Sequence, residues 1–221
     1  MRTGTLYIVA TPIGNLGDMT LRGIETLKKV DLIAAEDTRK TATLMKEYNI
    51  ENKATSYHSY NLTKKTGELI KKLESGENIA LVSDSGTPGI SDPGSVLISE
   101  CVKKDITVTT IPGPAALIAA LVISGKPTHK FVFEGFLSNK SARRKKQLEE
   151  LKEEKRTVII YESPHRILKF LKDFREIFGE KEIVLAREMT KKFEEVRRGP
   201  AEGHIDHFTH TKPRGEFVII F

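Results

Sequence analysis

Residues 79–94 constrain this chain more than any other stretch. Ile79-Ala80-Leu81-Val82 runs straight into a loop that holds Gly86, Gly89 and Gly94, Pro88 and Pro93, and Asp84 and Asp92. Four apolar or small residues with turn-rich flanks predict a short strand buried on both faces, as in a parallel sheet. Glycine permits positive φ and close backbone approach, while proline fixes φ and removes a donor, so the loop is stiff and rich in backbone. Val96-Leu97-Ile98 then begins a helix, with Pro93 or Ser95 near its first turn. A buried strand that opens into such a loop and then a helix is where open α/β sheets bind small ligands. A purely structural connection seldom needs so many special residues, and the ligand reading is preferred.

The same alternation recurs along the chain. Leu6–Ala10, Leu32–Ala35, Lys53–Tyr57, Ile79–Val82 and Thr107–Ile111 read as strands. Helices are expected over Leu21–Val30 with Thr20 as cap, 40–48, Leu62–Leu73, after Ser95, and Ala115–Ser124. Around Gly125–Lys130 the pattern restarts. Strands are expected at Phe131–Glu134, Thr157–Tyr161, Glu182–Arg187, Glu194–Arg198 and Phe217–Phe221, and helices at Ser141–Glu154 and His165–Phe178. The expectation is therefore an α/β protein of two αβα domains, 1–125 and 126–221, with mixed, mostly parallel sheets. A short junction should make the domains pack closely around a cleft.

With 38% hydrophobic and 30% charged residues the chain has a globular composition. Its net charge of +6 favours a polyanionic partner. A single cysteine, Cys101, excludes a disulfide framework within the chain and fits a reducing cytoplasm. The apolar run near the N-terminus is too short for a signal peptide, and the longest one, Ala115–Ile123, is about half of the ~20 residues a membrane-spanning helix needs. The expected location is cytoplasmic.

Four loops follow strands: Thr11–Asn15, Asp84–Gly89, Pro112–Ala115 and Glu162–His165. None carries a P-loop, and no G-x-G-x-x-G fingerprint is present, which makes a nucleotide hydrolase or an NAD dehydrogenase improbable. Free N–H groups at the start of the Ala115 helix could receive a carboxylate or phosphate. Glu36-Asp37-Thr38-Arg39 places two acids and an arginine at a strand end, either as an ion pair that caps the next helix or as a functional group on the ligand edge. His204, His207 and His210 recur every third residue in what reads as a polar loop or short helix. They lack a companion carboxylate or thiolate pattern, so no metal is expected. Lys140, Arg143, Arg144, Lys145 and Lys146 crowd a helix start where cations oppose the macrodipole, so contact with a phosphate backbone is a candidate role. Lys191 and Lys192, near Arg187, Arg197 and Arg198, form a second basic group.

Taken together, LYIVATPIGNLGDMTL at Leu6–Leu21, AEDTR at Ala35–Arg39, SDSGTPGISDPG at Ser83–Gly94, IPGPAA at Ile111–Ala116, FEGFL at Phe133–Leu137, YESPHR at Tyr161–Arg166 and REMTKKFEE at Arg187–Glu195 resemble the ribosomal RNA small subunit methyltransferase I family. That family lies in the tetrapyrrole-methylase superfamily. The resemblance implies two α/β domains, a homodimer, and S-adenosylmethionine bound in the interdomain cleft. It also implies methylation of the ribose 2′-hydroxyl of a cytidine in the decoding region of 16S rRNA, with 16S rRNA or the small ribosomal subunit as partner.

By the same resemblance, Gly86-Thr87-Pro88-Gly89 lies where relatives contact the cofactor. Ala115, Ala116, Glu162 and Pro12 match further contacts, and Asp84 is expected to shape the same pocket. Relatives acting on tetrapyrroles carry a Gly-x-Gly-Pro-Gly-Asp loop after the first strand. Here Thr11-Pro12-Ile13-Gly14-Asn15 replaces it, which argues against that substrate. Many family members continue well past Phe221, which gives the basic groups more weight as RNA contacts. Glu36, Asp37, Arg39 and His165, with Glu162, are the candidates for ordering the attacking hydroxyl, and the base among them is left open. Two alternatives remain: a superfamily methyltransferase acting on a tetrapyrrole or a modified protein residue, and a non-catalytic rRNA-binding assembly factor.

Overall fold

The computed structural model describes residues 3–221. They form two compact units that divide between Ala115 and Ala116.

The first unit is built on five strands: β1 (Leu6–Val9), β2 (Leu32–Ala35), β3 (Ala54–Ser56), β4 (Ile79–Val82) and β5 (Val108–Ile111). Their order across the sheet is β3-β2-β4-β1-β5, and every pairing is parallel. Helices α1 (Leu21–Lys29), α2 (Thr38–Glu47), α3 (Leu62–Glu74) and α4 (Ser95–Lys103) join them. Leu27 and Val30, at and just after α1, and Leu44 of α2 pack with Val9, Ile33, Ala80 and Val82 on one face. Leu69, Ile70 and Leu73 of α3 and Leu97 and Cys101 of α4 pack with Leu6, Ile8, Ala34, Ile79 and Leu81 on the other. Alternate strand residues thus feed opposite helical layers, which is why β4 is buried throughout and reads as an unbroken apolar run. Each such fully buried Leu or Ile contributes roughly 1.5–3 kcal/mol of burial.

The second unit opens with α5 (Ala116–Ser124), read above as the close of the first domain. This helix is apolar all round and packs on the strands β7 (Thr157–Glu162), β8 (Glu182–Arg187) and β10 (Phe217–Ile220). With β6 (Phe131–Phe136) and β9 (Glu195–Pro200) these make a sheet of order β6-β7-β10-β8-β9. Only β6 and β7 run parallel; the other three pairings are antiparallel. The sheet is mixed because β10 enters its centre antiparallel to both neighbours and β9 pairs antiparallel with β8 at one edge. Helices α6 (Ser141–Glu150), α7 (Ile167–Phe178) and α8 (Ala201–His210) share a core with Val158, Ile160, Leu185, Phe217 and Ile219. The segment carrying the three histidines is thus a full helix, with His204, Ile205 and Phe208 turned inward. No helix among the described residues is long and apolar enough to cross a membrane.

Candidate functional site

Because the first sheet is wholly parallel, the loops after β1, β2, β4 and β5 all leave from one edge. Neighbouring β1 and β4 send the chain to opposite faces, β1 towards α1 and β4 towards α4. Diverging connections from adjacent strands open a crevice at their carboxyl ends.

The loops along this edge are tied together mainly through backbone. Thr11 and Gly86 form an isolated antiparallel bridge, with Thr11 N–H donating to Gly86 O at 2.9 Å and Gly86 N–H donating to Thr11 O at 3.0 Å. The Thr11 hydroxyl donates to Ser83 O at 3.1 Å, and the Thr87 hydroxyl donates to Pro114 O at 3.2 Å. Pro12 is buried beside them. Gly86 has φ +84°, which only a residue tolerant of the left-handed region holds at ease. Gly89 lies under Gly94, whose Cβ, were there one, would stand 3.0 Å from Gly89 N. Pro12, Gly86, Thr87, Gly89 and Ala115, expected along a cofactor, therefore belong to one connected edge.

The acidic stretch joins it from β2. Asp84 N–H donates to Glu36 Oε2 at 3.2 Å, Asp37 N–H donates to Asp84 Oδ1 at 3.0 Å, and Lys40 Nζ lies 2.7 Å from Asp84 Oδ2. Asp37 caps α2 through Arg39 N–H at 2.9 Å, and the Arg39 guanidinium grips the same carboxylate at 3.0 and 2.7 Å. That grip holds the Asp37 carboxyl well below the usual carboxylate range and raises Arg39 further. Asp37 and Arg39 thus form the helix-capping ion pair considered above, and a carboxylate so held is a poor proton acceptor. Thr11, Lys40, Leu44, Val82, Ser83 and Asp84 line a depression beside them. Of these lining residues the sequence offered Thr11 only as the start of its loop, and gave Lys40 and Ser83 no role. The only local signal for Lys40 was its place directly after the Glu36–Arg39 stretch.

In the second unit Glu162 ends β7 with 1% of its surface exposed. Burial pushes its carboxyl up, opposed by the Ser163 N–H at 2.7 Å and by Arg166. Arg166 donates from Nη2 to Glu162 Oε2 at 3.1 Å and to the Leu137 carbonyl, while its Nε lies 3.0 Å from Oε1 as an ionic contact. His165 is exposed next to this pair. Ala116 begins α5, and one of the helix N–H groups expected to be free, that of Leu117, donates to the Tyr161 hydroxyl at 3.0 Å.

The expected RNA contacts separate into two kinds. Lys140, Arg143, Lys146 and Lys192 are exposed, with Lys192 over the ring of Phe193. Arg144, counted among the phosphate contacts above, is 1% exposed and ion-paired to Asp173 at 2.6 Å. Its guanidinium is spent inside the fold and cannot meet a phosphate. Lys145 pairs with Glu176 at 2.6 Å, and Lys191 with Glu188 at 2.8 Å and Glu216 at 3.0 Å. Among the described residues no group of three His, Cys, Asp or Glu could hold a metal ion.

Residues 5–203 match the family described as tetrapyrrole (corrin/porphyrin) methylases. The chain is 53% identical over 218 residues to a ribosomal RNA small subunit methyltransferase I of Synechocystis sp., covering 98% of this chain and 78% of the relative. It is 46% identical over 217 residues to the protein of the same name from Thermotoga maritima, covering 98% and 97%. Among solved structures, a cobalt precorrin-4 methyltransferase of cobalamin biosynthesis superposes with TM-score 0.72 at 16% identity, covering 98% of this chain and 94% of that one. A diphthine synthase superposes with TM-score 0.73 at 13% identity, covering 98% and 88%. These two likenesses concern the fold.

Proposed function

The chain belongs to the tetrapyrrole methylase family and, within it, to the ribosomal RNA small subunit methyltransferases I; from that premise we propose that it methylates the ribose 2′-hydroxyl of a cytidine in the decoding region of 16S rRNA. The observation that carries this reading is similarity along nearly the whole chain to relatives that bear that name. S-adenosylmethionine supplies an electrophilic methyl group for in-line displacement when bound. The residues present fit such a group: the Thr11–Gly86 bridge and the Thr87–Pro114 bond gather glycine-bearing loops at one sheet edge beside the Asp84 carboxylate, where backbone groups can approach a ligand closely. Pro12, Asp84, Gly86, Thr87, Gly89, Ala115, Ala116 and Glu162 would hold it.

What the chain itself must do is align and deprotonate. A ribose hydroxyl is a weak nucleophile while it keeps its proton, and a positioned acceptor lowers the barrier. Glu36, which accepts one backbone hydrogen bond and is not tied to an arginine, suits that task better than Asp37. His165 of the second unit is the other candidate. Asp37 and Arg39 orient α2, and Lys40, paired to Asp84, places a cation beside the depression. A homodimer in the cytoplasm belongs to the same proposal. Exposed Ile118 and Val122 of α5 are apolar surface that a second copy would cover, and light scattering reads the mass.

Transfer of tritiated methyl from S-adenosylmethionine to small ribosomal subunits, followed by nuclease mapping, tests the activity. Label in one 16S rRNA nucleotide is expected, resistant to alkali on its 3′ side. Label only in protein or in a tetrapyrrole would shift the assignment to another branch of the superfamily. Absence of cofactor binding by calorimetry would favour an assembly factor. Single-turnover rates of Glu36→Ala, Asp37→Ala, Arg39→Ala, Glu162→Ala and His165→Ala assign roles, and unchanged rates in all five would remove the catalytic assignment.

A further inference from the structure

The basic block of α6 divides by direction. Arg144 and Lys145 turn towards α7, where Asp173 and Glu176 receive them. Lys140, Arg143 and Lys146, spaced by three residues, are exposed, and no hydrogen bond or ion pair among the described residues engages their side chains. Several helical lysines elsewhere in this protein pair with an acid one turn away, as Lys29 with Glu25, Lys65 with Glu68 and Lys103 with Glu100. The first two turns of α6 carry no acid at all; Glu149 and Glu150 stand at its far end. Cations at a helix start also oppose the macrodipole, so this stripe costs stability in the free protein. Two further exposed and unengaged cations, Lys169 and Lys172, lie on α7. Arg144–Asp173 and Lys145–Glu176 hold that helix alongside α6.

We infer that the outer surface of α6 and α7 is the docking face for the phosphate backbone of the RNA substrate, with Lys140, Arg143 and Lys146 as its central contacts and Lys169 and Lys172 extending it. The inference rests on the rRNA reading above and adds where the nucleic acid is gripped. Five unpaired cations and no exposed acid in the first half of α6 match a polyanion. The absence of aromatic residues from α6 means the face grips phosphate without stacking bases, so it positions RNA and does not read its sequence. Arg144 and Lys145 do not touch RNA; they set the register of the two helices that do.

The test compares Lys140→Gln/Arg143→Gln/Lys146→Gln with a control that removes the same charge from the first unit, Lys28→Gln/Lys46→Gln/Lys71→Gln. Both are titrated with a 16S rRNA transcript and with small subunits over about 50 to 200 mM KCl. In the α6 variant, binding is expected to weaken at least tenfold at the upper salt. Its slope of log affinity against log salt should flatten by about 2, one counterion-release increment for each lost phosphate contact. KM for RNA should rise with kcat at saturating RNA far less affected, while S-adenosylmethionine affinity stays at the wild-type value and the unfolding midpoint holds or rises, because cations that oppose the helix macrodipole have been removed. An α6 variant that matches wild type in affinity, slope and KM overturns the inference, as does a control that loses as much. Should the wild-type protein transfer no methyl to RNA, the rRNA reading falls and this one with it. Wild-type transfer with an unaltered KM in the α6 variant removes this inference alone.

Discussion

Thr11 and Gly86 exchange two backbone hydrogen bonds across a sequence separation of 75 residues, and this pair pins the loop after β1 to the loop after β4. Gly86 achieves it at φ +84°, where a Cβ would find ordinary room, 3.4 Å from Ile13 Cγ2. The cost of Gly86→Ala is therefore conformational, about 1–2 kcal/mol. Gly94→Ala adds a steric term, because the new Cβ would meet the backbone of Gly89 at 3.0 Å and Leu81 Cδ2 at 3.1 Å. Urea unfolding should rank Gly94→Ala as the more damaging, and both should weaken S-adenosylmethionine binding in calorimetry. Equal stability losses would contradict this account of the loop.

Glu162 and Arg166 offer a prediction with a pH sign. Burial raises the Glu162 carboxyl, so the folded state holds that proton more tightly than the unfolded chain does. Stability is then free of the penalty below the ordinary carboxylate range and loses ground as pH rises towards the raised value. Arg166→Met removes the cation that opposes the shift and leaves a nearly inaccessible charge uncompensated. Because Arg166 is partly exposed, a loss of roughly 3 kcal/mol at pH 7 is expected, from the lower end of what breaking a buried pair costs. At a pH near the unfolded carboxylate value the loss should be distinctly smaller. Denaturant titrations at the two pH values check it, and the same loss at both would contradict the role given to Arg166.

How far the sequence reached follows from where each signal lies. Leu32–Ala35, Ile79–Val82 and Glu182–Arg187 were legible to the residue because each is a short apolar run bounded by turn residues. The gathering of these loops at one edge was legible for a topological reason: strand–helix alternation forces a parallel sheet, and a parallel sheet gathers its loops. The second sheet was less so, since no local feature says that Phe217–Ile220 inserts between β7 and β8. The basic block misled at Arg144 and Lys145 because their acids, Asp173 and Glu176, lie 29 and 31 residues away on another helix. Helix α8 was half-seen: inward His204, Ile205 and Phe208 give it a buried face, yet three histidines read as polar.

The Arg144–Asp173 pair should behave as part of the core. Arg144 Nε donates to Asp173 Oδ2 at 2.8 Å, its Nη1 donates to the Ser138 carbonyl at 3.1 Å, and Ser141 Oγ donates to Asp173 Oδ1 at 2.9 Å. Asp173→Ala strands a guanidinium with 2% of its side chain exposed. A loss of about 3–5 kcal/mol is expected, against less than about 0.5 kcal/mol for Lys146→Gln on the surface. Thermal unfolding separates the two. A mild Asp173→Ala phenotype would mean that water reaches the guanidinium.

His204 gives the protein an acid sensitivity that maps to one side chain. Its ring is 2% exposed on the inner face of α8, and neither nitrogen makes a well-aligned hydrogen bond. Burial pushes its pKa down from 6.5. Arg197 and His207 act in the same direction, and the backbone of Ile183 and Gly199 opposes them only in part. The unfolded chain therefore takes up a proton as pH falls through 6.5 while the folded one does not, so stability is complete above that value and is lost below it. His204→Leu, close in volume and free of a titrating group, should flatten the stability profile between about pH 6.5 and 5 while leaving the carboxylate-driven loss at lower pH in place. Circular-dichroism melts across that range measure the slope directly. A wild-type profile already flat between those values, or a His204→Leu profile that keeps the wild-type slope, would place the acid sensitivity elsewhere.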